Sequence, residues 1–415
     1  MFIHFGLYSV PAYQEWCRTR DRIPDATYHG YMKQFKADRW NPARWAELAA
    51  RAGMKYSVMT AKHHDGFCLF DSRHTDFKAT KAPVGRDLIQ DYLAAFRGVG
   101  LHAGLYYSLL DWEHPDYALD RIHPRRNDPD WNKPLGVTPE PHRDMTKYRD
   151  YMFKQIRELL ENYGEIPLMW FDFSFDEKGP EDWDAANLLN LIRSLQPGIV
   201  LNSRLDRGHL DIIASKRKYA GDFMTPEQFV PEEGCRDAVG NLVPWESCIT
   251  LNDNWCYVRD DPNFKTPTQV IRLLVECVSK GGNLLLNVGP TARGDIQPEA
   301  VEILTQVGDW MQLHGDSIHG CGHAGLPKPD WGRWTRRGDR LFAHVFNPPT
   351  GPLVLVGWGG KIDSATLLAD GSCINMSTPW MFKECTSPDA YLTLPAQRAL
   401  NGHDTVIELK LKVGV

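Results

Sequence analysis

From the first residue to His314, short apolar runs of strand length alternate about eight times with stretches of helical periodicity. The runs are Phe2–Tyr8, Tyr56–Ala61, Leu101–Ser108, Ile166–Asp172, Ile199–Arg204, 219–227, 245–255 and Asn283–Gly289. Between them, 42–53, 87–99, 148–163, 183–195, 266–279 and 298–314 carry apolar residues at helical spacing. Such alternation requires parallel strands joined by right-handed crossovers. A polar residue closes nearly every run, and the count favours a (β/α)₈-like barrel over an open doubly wound sheet. The fifth and sixth units lack clear helices, so the barrel is expected to be irregular. From about Gly322 the pattern changes to short, β-branched or alternating runs separated by Gly, Pro and Asp. That pattern predicts an antiparallel β-sandwich. The expected division is a barrel over 1–320 and a sandwich over 321–415.

One run is distinctive. Ile166-Pro-Leu-Met-Trp-Phe-Asp172 is apolar in succession, so both faces are buried, and it ends on a carboxylate. Alone, an acid there caps a turn more often than it catalyses. In a barrel, however, the carboxyl ends of the strands carry the active site. Gathering those ends brings together His4, His63, His64, Tyr107, Asp172, Arg204, Glu227 and Trp255, with Tyr13 and Trp16 from the first loop.

Composition removes several function classes. The formal net charge is −6 and the basic residues are scattered, which argues against a nucleic-acid partner. No G-x-G-x-x-G or P-loop motif follows a strand, so no nucleotide cofactor is expected. No apolar span could cross a membrane, and no signal-type segment opens the chain. Nine Cys form no C-x-x-C and read as free thiols of a reducing compartment, so a cytoplasmic location is expected. His63-His64-Asp65 invites a metal, but neighbours on a strand point to opposite sides, and no metal is expected. Neutral histidines donating to hydroxyl groups fit better. There is no G-x-S-x-G elbow for serine chemistry. With 14 Trp, 15 Tyr and 17 Phe, many in polar loops, aromatic faces are available for the C–H faces of sugars.

Two carboxylates across a cleft, without a cofactor, are the minimum apparatus for glycosidic cleavage. Asp172, on a rigid strand, suits the ionised role. Glu227, Glu246, Asp222 and Glu15 are the candidates for the proton donor.

Several segments in order then carry a resemblance. They are Phe2-Ile-His-Phe-Gly-Leu-Tyr-Ser-Val-Pro11, Tyr13-Gln-Glu-Trp16, Ala61-Lys-His-His-Asp-Gly-Phe67, Leu105-Tyr-Tyr-Ser108 and Trp170-Phe-Asp172. Further on stand Asn202-Ser-Arg204, Thr225-Pro-Glu227, Trp245-Glu246 with Trp255, and Asn283-Leu-Leu-Leu-Asn-Val-Gly-Pro290. Together they resemble the α-L-fucosidases of glycoside hydrolase family 29. The resemblance implies a retaining exo-enzyme that acts on fucosylated oligosaccharides or glycoconjugates, with Asp172 as nucleophile and Glu227 as acid/base. It implies that His4, Tyr13, Trp16, His63, His64, Tyr107 and Arg204 hold the fucose hydroxyls, and that Trp170 and Trp255 flank the ring and its methyl group. Glu246 is the alternative acid/base, and a catalytically silent fucose-binding protein is the alternative function. The 250–255 segment resembles the branch preferring α1,3/4-linked fucose. The chain departs from the family at Phe173–Asp176, where a Gly-rich turn is usual, and at Cys256, where Gly is common.

Overall fold

The computed structural model describes residues 1–126, 143–175, 177–207, 213–214, 219, 221–237, 239–377, 380, 388–395 and 401–412. The middle of the long loop expected between Asp111 and Met145 lies outside the described residues. The chain divides into two compact units. One comprises Met1–Phe229, Cys235–Phe264 and Leu285–Glu302, the other Val230–Gly234, Lys265–Leu284 and Ile303–Val415.

The first unit is built on a curled sheet of seven strands, in the order Val200–Leu201, Leu168–Asp172, His102–Ser108, Tyr56–Lys62, Phe2–Ile3, Asn283–Val288 and Glu246–Thr250. The ladders Phe2↔Val58, Phe2↔Asn287, Tyr106↔Trp170 and Leu168↔Val200 are all parallel. Between the two edge strands runs an extended segment that makes only isolated parallel bridges, Asn202↔Phe223 on one side and Met224↔Trp245 and Glu227↔Cys248 on the other. It takes the eighth position, and the expected barrel is therefore present and irregular where expected. Phe2, Val58, Tyr106, Leu168, Trp170, Cys248 and Leu285 pack together as one buried cluster contributed by these strands.

Local sequence accounts for the flanking helices. Asn41 caps Pro42–Arg51 by accepting from the Arg44 amide at 3.3 Å, with Pro42 in the first turn. Asp87 caps Leu88–Gly98 in the same way. The helix expected over 148–163 runs from Met145 to Asn162, because Asp144 supplies a cap one turn earlier. The first strand is shorter than expected, Phe2–Ile3 only. The Thr60 hydroxyl there takes over the ladder, accepting from the Phe5 amide at 3.2 Å and donating to the Phe5 carbonyl at 2.8 Å.

The second unit contains two antiparallel sheets, as the sequence predicts. One orders Gly332–Arg337, Arg340–Val345, Thr405–Leu411 and Ile362–Leu367; the other orders Leu353–Leu355, Ala390–Thr393 and Asn375–Met376. Trp334, Leu341, Leu353, Leu392, Ile407 and Leu409 from both sheets form a shared core.

Gly289, just past strand Asn283–Val288, lets the loop that carries Trp255 lie against that strand end. A Cβ at Gly289 would meet the Cys256 carbonyl carbon at 2.4 Å and the Tyr257 amide nitrogen at 2.6 Å. Both obstacles are backbone. Gly289→Ala is expected to destabilise the fold by about 1–3 kcal/mol, the usual range for overpacking, as measured by urea unfolding. An unchanged midpoint would show that the loop is not held there.

Candidate active site

The carboxyl ends of these strands surround a partly open pocket. At its centre is Arg204, fully buried in the short turn Ser203–Leu205. Its Nη1 donates to Asp172 Oδ1 at 2.8 Å, and its Nη2 lies 2.8 Å from Glu227 Oε2. One guanidinium thus holds two carboxylates. Arg204 Nε donates to Thr225 Oγ1 at 3.0 Å, and the guanidinium carbon sits 4.3 Å from the Trp170 ring centroid. Asn202 fixes the turn that presents Arg204: it accepts from the Phe171 amide at 2.9 Å and donates to the Phe171 carbonyl at 2.8 Å.

Asp172 also accepts from the Tyr106 hydroxyl at 2.8 Å. Burial first, and then the Asp172 carboxylate, push the Tyr106 phenol well above its ordinary pKa, so it remains a donor.

The three histidines are held neutral by burial. His4 and His64 are each lowered to about 4, and His63 lies well below its ordinary value. Asn287 donates through Nδ2 to the Trp255 carbonyl at 2.6 Å, leaving Oδ1 to accept from His4 Nδ1 at 2.7 Å. Ser108 donates to the Leu110 carbonyl, leaving its Oγ to accept from His64 Nδ1 at 2.6 Å. In both rings the proton therefore sits on Nδ1 and Nε2 is an acceptor. The sequence expectation of hydroxyl-donating histidines is corrected for these two, because their single ring proton is already committed inside the protein. His64 Nε2 lies 3.8 Å from Asp172 Oδ2, too far to bond. His63 Nδ1 has no hydrogen-bond partner among the described residues.

Of the expected residues, His4, Trp16, His63, His64, Trp170, Asp172, Arg204, Glu227 and Trp255 line this one pocket. Three do not. Tyr107 points away: its hydroxyl donates to Gln155 Oε1 at 2.7 Å and Lys62 Nζ lies 4.5 Å from its ring centroid. Tyr106 takes its place, because ladder pairs Tyr106↔Trp170 and Ser108↔Asp172 put Tyr106 on the face of Trp170 and Asp172. Counting back two residues from the strand end, rather than one, would have found it. Tyr13 is half exposed, at 51%, and outside the pocket. Glu246 is buried behind Trp170, accepting from its Nε1 at 3.1 Å and from the Tyr56 hydroxyl. Burial raises its carboxyl above the usual range, against those two hydrogen bonds.

Glu15, one of the proton-donor candidates, also lines the pocket, which adds Phe2, Phe173 and Cys248. Burial raises Glu15, and its Oε2 has no hydrogen-bond partner among the described residues. Phe173 adopts φ 83°, which for a side chain of its size costs about 1–2 kcal/mol relative to glycine. Gln228, the residue after Glu227, is also left-handed at φ 63°. Each carboxylate is thus followed by a backbone kink, the sort of strain that accumulates at functional sites.

A sequence profile described as alpha-L-fucosidase matches residues 1–316. The chain belongs to the α-L-fucosidase family. It is a glycoside hydrolase that acts on α-L-fucosides. The α-L-fucosidase of Branchiostoma floridae is 27% identical over 420 residues, covering 91% of this chain and 87% of the relative. Among solved structures, α-L-fucosidase isoenzyme 1 from Paenibacillus thiaminolyticus superposes with a TM-score of 0.94 at 47% identity, covering 99% of this chain and 96% of that one. A family 29 fucosidase from Bacteroides thetaiotaomicron, trapped as a covalent intermediate with 2-fluoro-fucosyl fluoride in a Glu-to-Gln mutant, aligns with a TM-score of 0.84 at 29% identity over 99% and 93% of the two chains. Among the described residues of this fucosidase, no cluster of His, Cys, Asp and Glu could hold a metal ion, and no helix is long and apolar enough to cross a membrane.

The buried histidines make the fold acid-sensitive in a defined window. In the unfolded chain His titrates near 6.5, whereas folded His4 and His64 do so at about 4. Between these values the unfolded chain binds more protons, so stability falls as pH drops from 6.5 to about 4 and then levels off for these groups. Each contributes on the order of 3 kcal/mol across the window. Calorimetric Tm is expected to decline over that range, with a shallower slope in His4→Gln and His64→Gln. A slope unchanged by both variants would contradict it.

Proposed function

We propose that this fucosidase is a retaining exo-enzyme that removes terminal α-linked L-fucose from glycans, with Asp172 as nucleophile and Glu227 as acid/base. The observation that carries the reading is Arg204 held between these two carboxylates at 2.8 Å each. Two acids sharing one guanidinium stand close together, as retention requires; retaining pairs are about 5–5.5 Å apart. The Bacteroides relative, trapped as a covalent intermediate through a Glu-to-Gln change, supports the same two-carboxylate logic.

The steps follow from the contacts. Arg204 and the Tyr106 hydroxyl keep Asp172 ionised and aimed. Asp172 attacks C1 while protonated Glu227 gives its proton to the departing oxygen. The resulting ester removes the charge of Asp172 and leaves Arg204 to Glu227 alone. That favours Glu227 as the carboxylate that deprotonates the incoming water. Nε2 of His4 and of His64 accept from fucose hydroxyls, with His63 and Glu15 completing the polar wall. Phe2, Trp170 and Trp255, whose rings lie 5.2–5.8 Å from one another through Phe2, supply the apolar side for the methyl group. Glu246 is bonded to Trp170 and lines no part of the pocket, so its effect on the reaction passes through the Trp170–Arg204 stack. The resemblance at 250–255 adds a preference for α1,3/4 linkages.

Proton NMR during hydrolysis of an aryl α-L-fucoside is expected to show the α anomer of fucose first; β first would overturn retention. Asp172→Ala is expected to fall to background. Glu227→Ala is expected to lose about 10²–10⁴-fold in kcat/KM, the usual worth of general acid–base catalysis, and to be rescued by azide on an activated substrate. Azide rescue of Glu246→Ala instead would transfer the role. Across α1,2, α1,3, α1,4 and α1,6 fucosides, the α1,3 and α1,4 compounds are expected to turn over fastest, and a faster α1,2 or α1,6 compound would sink that preference.

A further inference from the structure

A second buried guanidinium stands outside the pocket. Arg18, 1% exposed, lies in the short helix Cys17–Arg20 that Trp16 opens. Its Nη1 donates to the Asp65 carbonyl at 2.8 Å. Its Nη2 donates to Glu113 Oε2 at 2.7 Å and to Asp25 Oδ1 at 3.1 Å. Asp25, Asp65 and Glu113 belong to the segments that follow strands Phe2–Ile3, Tyr56–Lys62 and His102–Ser108. One side chain therefore joins three loops at the carboxyl face of the sheet.

In each loop the joined residue stands beside an aromatic residue of the pocket or its backing. Trp16 is two residues before Arg18, His64 precedes Asp65, and Trp112 precedes Glu113. The Trp112 amide donates to the His64 carbonyl at 2.8 Å. Its ring centroid lies 5.4 Å from Trp16 and 5.4 Å from His64. Asp111, on the other side of Trp112, is paired with the fully buried Lys62 at 2.8 Å. Trp112 thus sits between two acids, each held by a buried cation.

Buried charge pairs add little net stability, because desolvation offsets their attraction. Arg18 carries a further cost, since its Nε has no hydrogen-bond partner among the described residues. What its fork supplies is geometry, as a planar guanidinium fixes the directions of several acceptors at once and an ammonium does not. We propose that Arg18 is a positioning residue for substrate binding, which holds the Trp16 loop and the Trp112 loop against the turn after His64 and so fixes the spacing of the wall that receives fucose. This rests on the reading that Trp16 and His64 face the sugar. Hydrogen bonds to several hydroxyl groups must be met together, so a small shift of one loop weakens the set.

The test measures the competitive Ki of L-fucose and the kcat for an aryl α-L-fucoside. In Arg18→Met, Ki is expected to rise at least about tenfold, the order of one misplaced hydrogen bond. The same wall holds ground state and transition state, so kcat is expected to stay within about threefold. Arg18→Lys, which keeps the charge without the fork, is expected to stay raised in Ki. Glu113→Gln, at a side chain 25% exposed, is expected to raise Ki in the same direction. A variant that is only less well folded loses active molecules, which lowers the apparent kcat and leaves Ki unchanged. Wild-type Ki in both Arg18→Met and Glu113→Gln overturns the proposal, and so does a Ki restored by Arg18→Lys. If Arg18→Met does not fold, Glu113→Gln decides alone. Trp16→Ala is the control. A Ki raised there and in neither of the other two sinks the proposal and leaves the wall reading standing, whereas a wild-type Ki in Trp16→Ala sinks the wall reading itself and the proposal with it.

Discussion

The site depends on one buried cation. Arg204 is 2% exposed, and a charge that far from water is tolerated only when it is paired and fully hydrogen-bonded. The structure meets that condition with two carboxylates, the Thr225 hydroxyl and the face of Trp170. Most features of the pocket can be traced to this requirement. Trp170 is itself held by Glu246, and Glu246 by Tyr56, so the support reaches from the pocket into the strands behind it. Asn202 ties the turn of Arg204 to the backbone of Phe171, one residue before Asp172. The distance from the Asp172 carboxylate to the guanidinium is thereby set by the Asn202 side chain, which ties the turn to the neighbouring strand.

The remaining polar groups are arranged against charge. His4, His63 and His64 are kept neutral by burial, and two of them have their ring proton already engaged. Lone pairs are left facing a pocket that otherwise offers a cation and two acids. Such a wall suits hydroxyl groups, which can donate to it without bringing charge of their own. Next to cationic imidazoles, Arg204 would be less free to serve its two acids.

Irregularity falls where function needs it. The regular ladder lapses between Val200–Leu201 and Glu246–Thr250, and Glu227 comes from the segment held there by single bridges. Its side chain is 29% exposed, against 11% for Asp172. Under the proposed assignment, the greater exposure of Glu227 suits a proton donor that reaches the leaving group, and the closer burial of Asp172 suits a nucleophile. The two left-handed residues that follow these acids, Phe173 and Gln228, turn the chain sharply just after each carboxylate.

Much of this was legible in the residues alone. Alternation of apolar runs and amphipathic helices dictates parallel strands and crossovers, because no other arrangement buries both. A fully apolar run ending on Asp172 marks an inner strand with its acid at the catalytic end, and the order of tip residues points to the family. Three matters were left to the tertiary structure. Whether Tyr106 or Tyr107 faces the pocket depends on register, since in a strand buried on both sides two adjacent tyrosines look alike. Whether Glu227 or Glu246 lines the pocket depends on which side of Trp170 each one lies, and apolar periodicity does not encode that. The direction of the histidine protons depends on Asn287 and Ser108, which are distant in sequence and adjacent only once the barrel has formed.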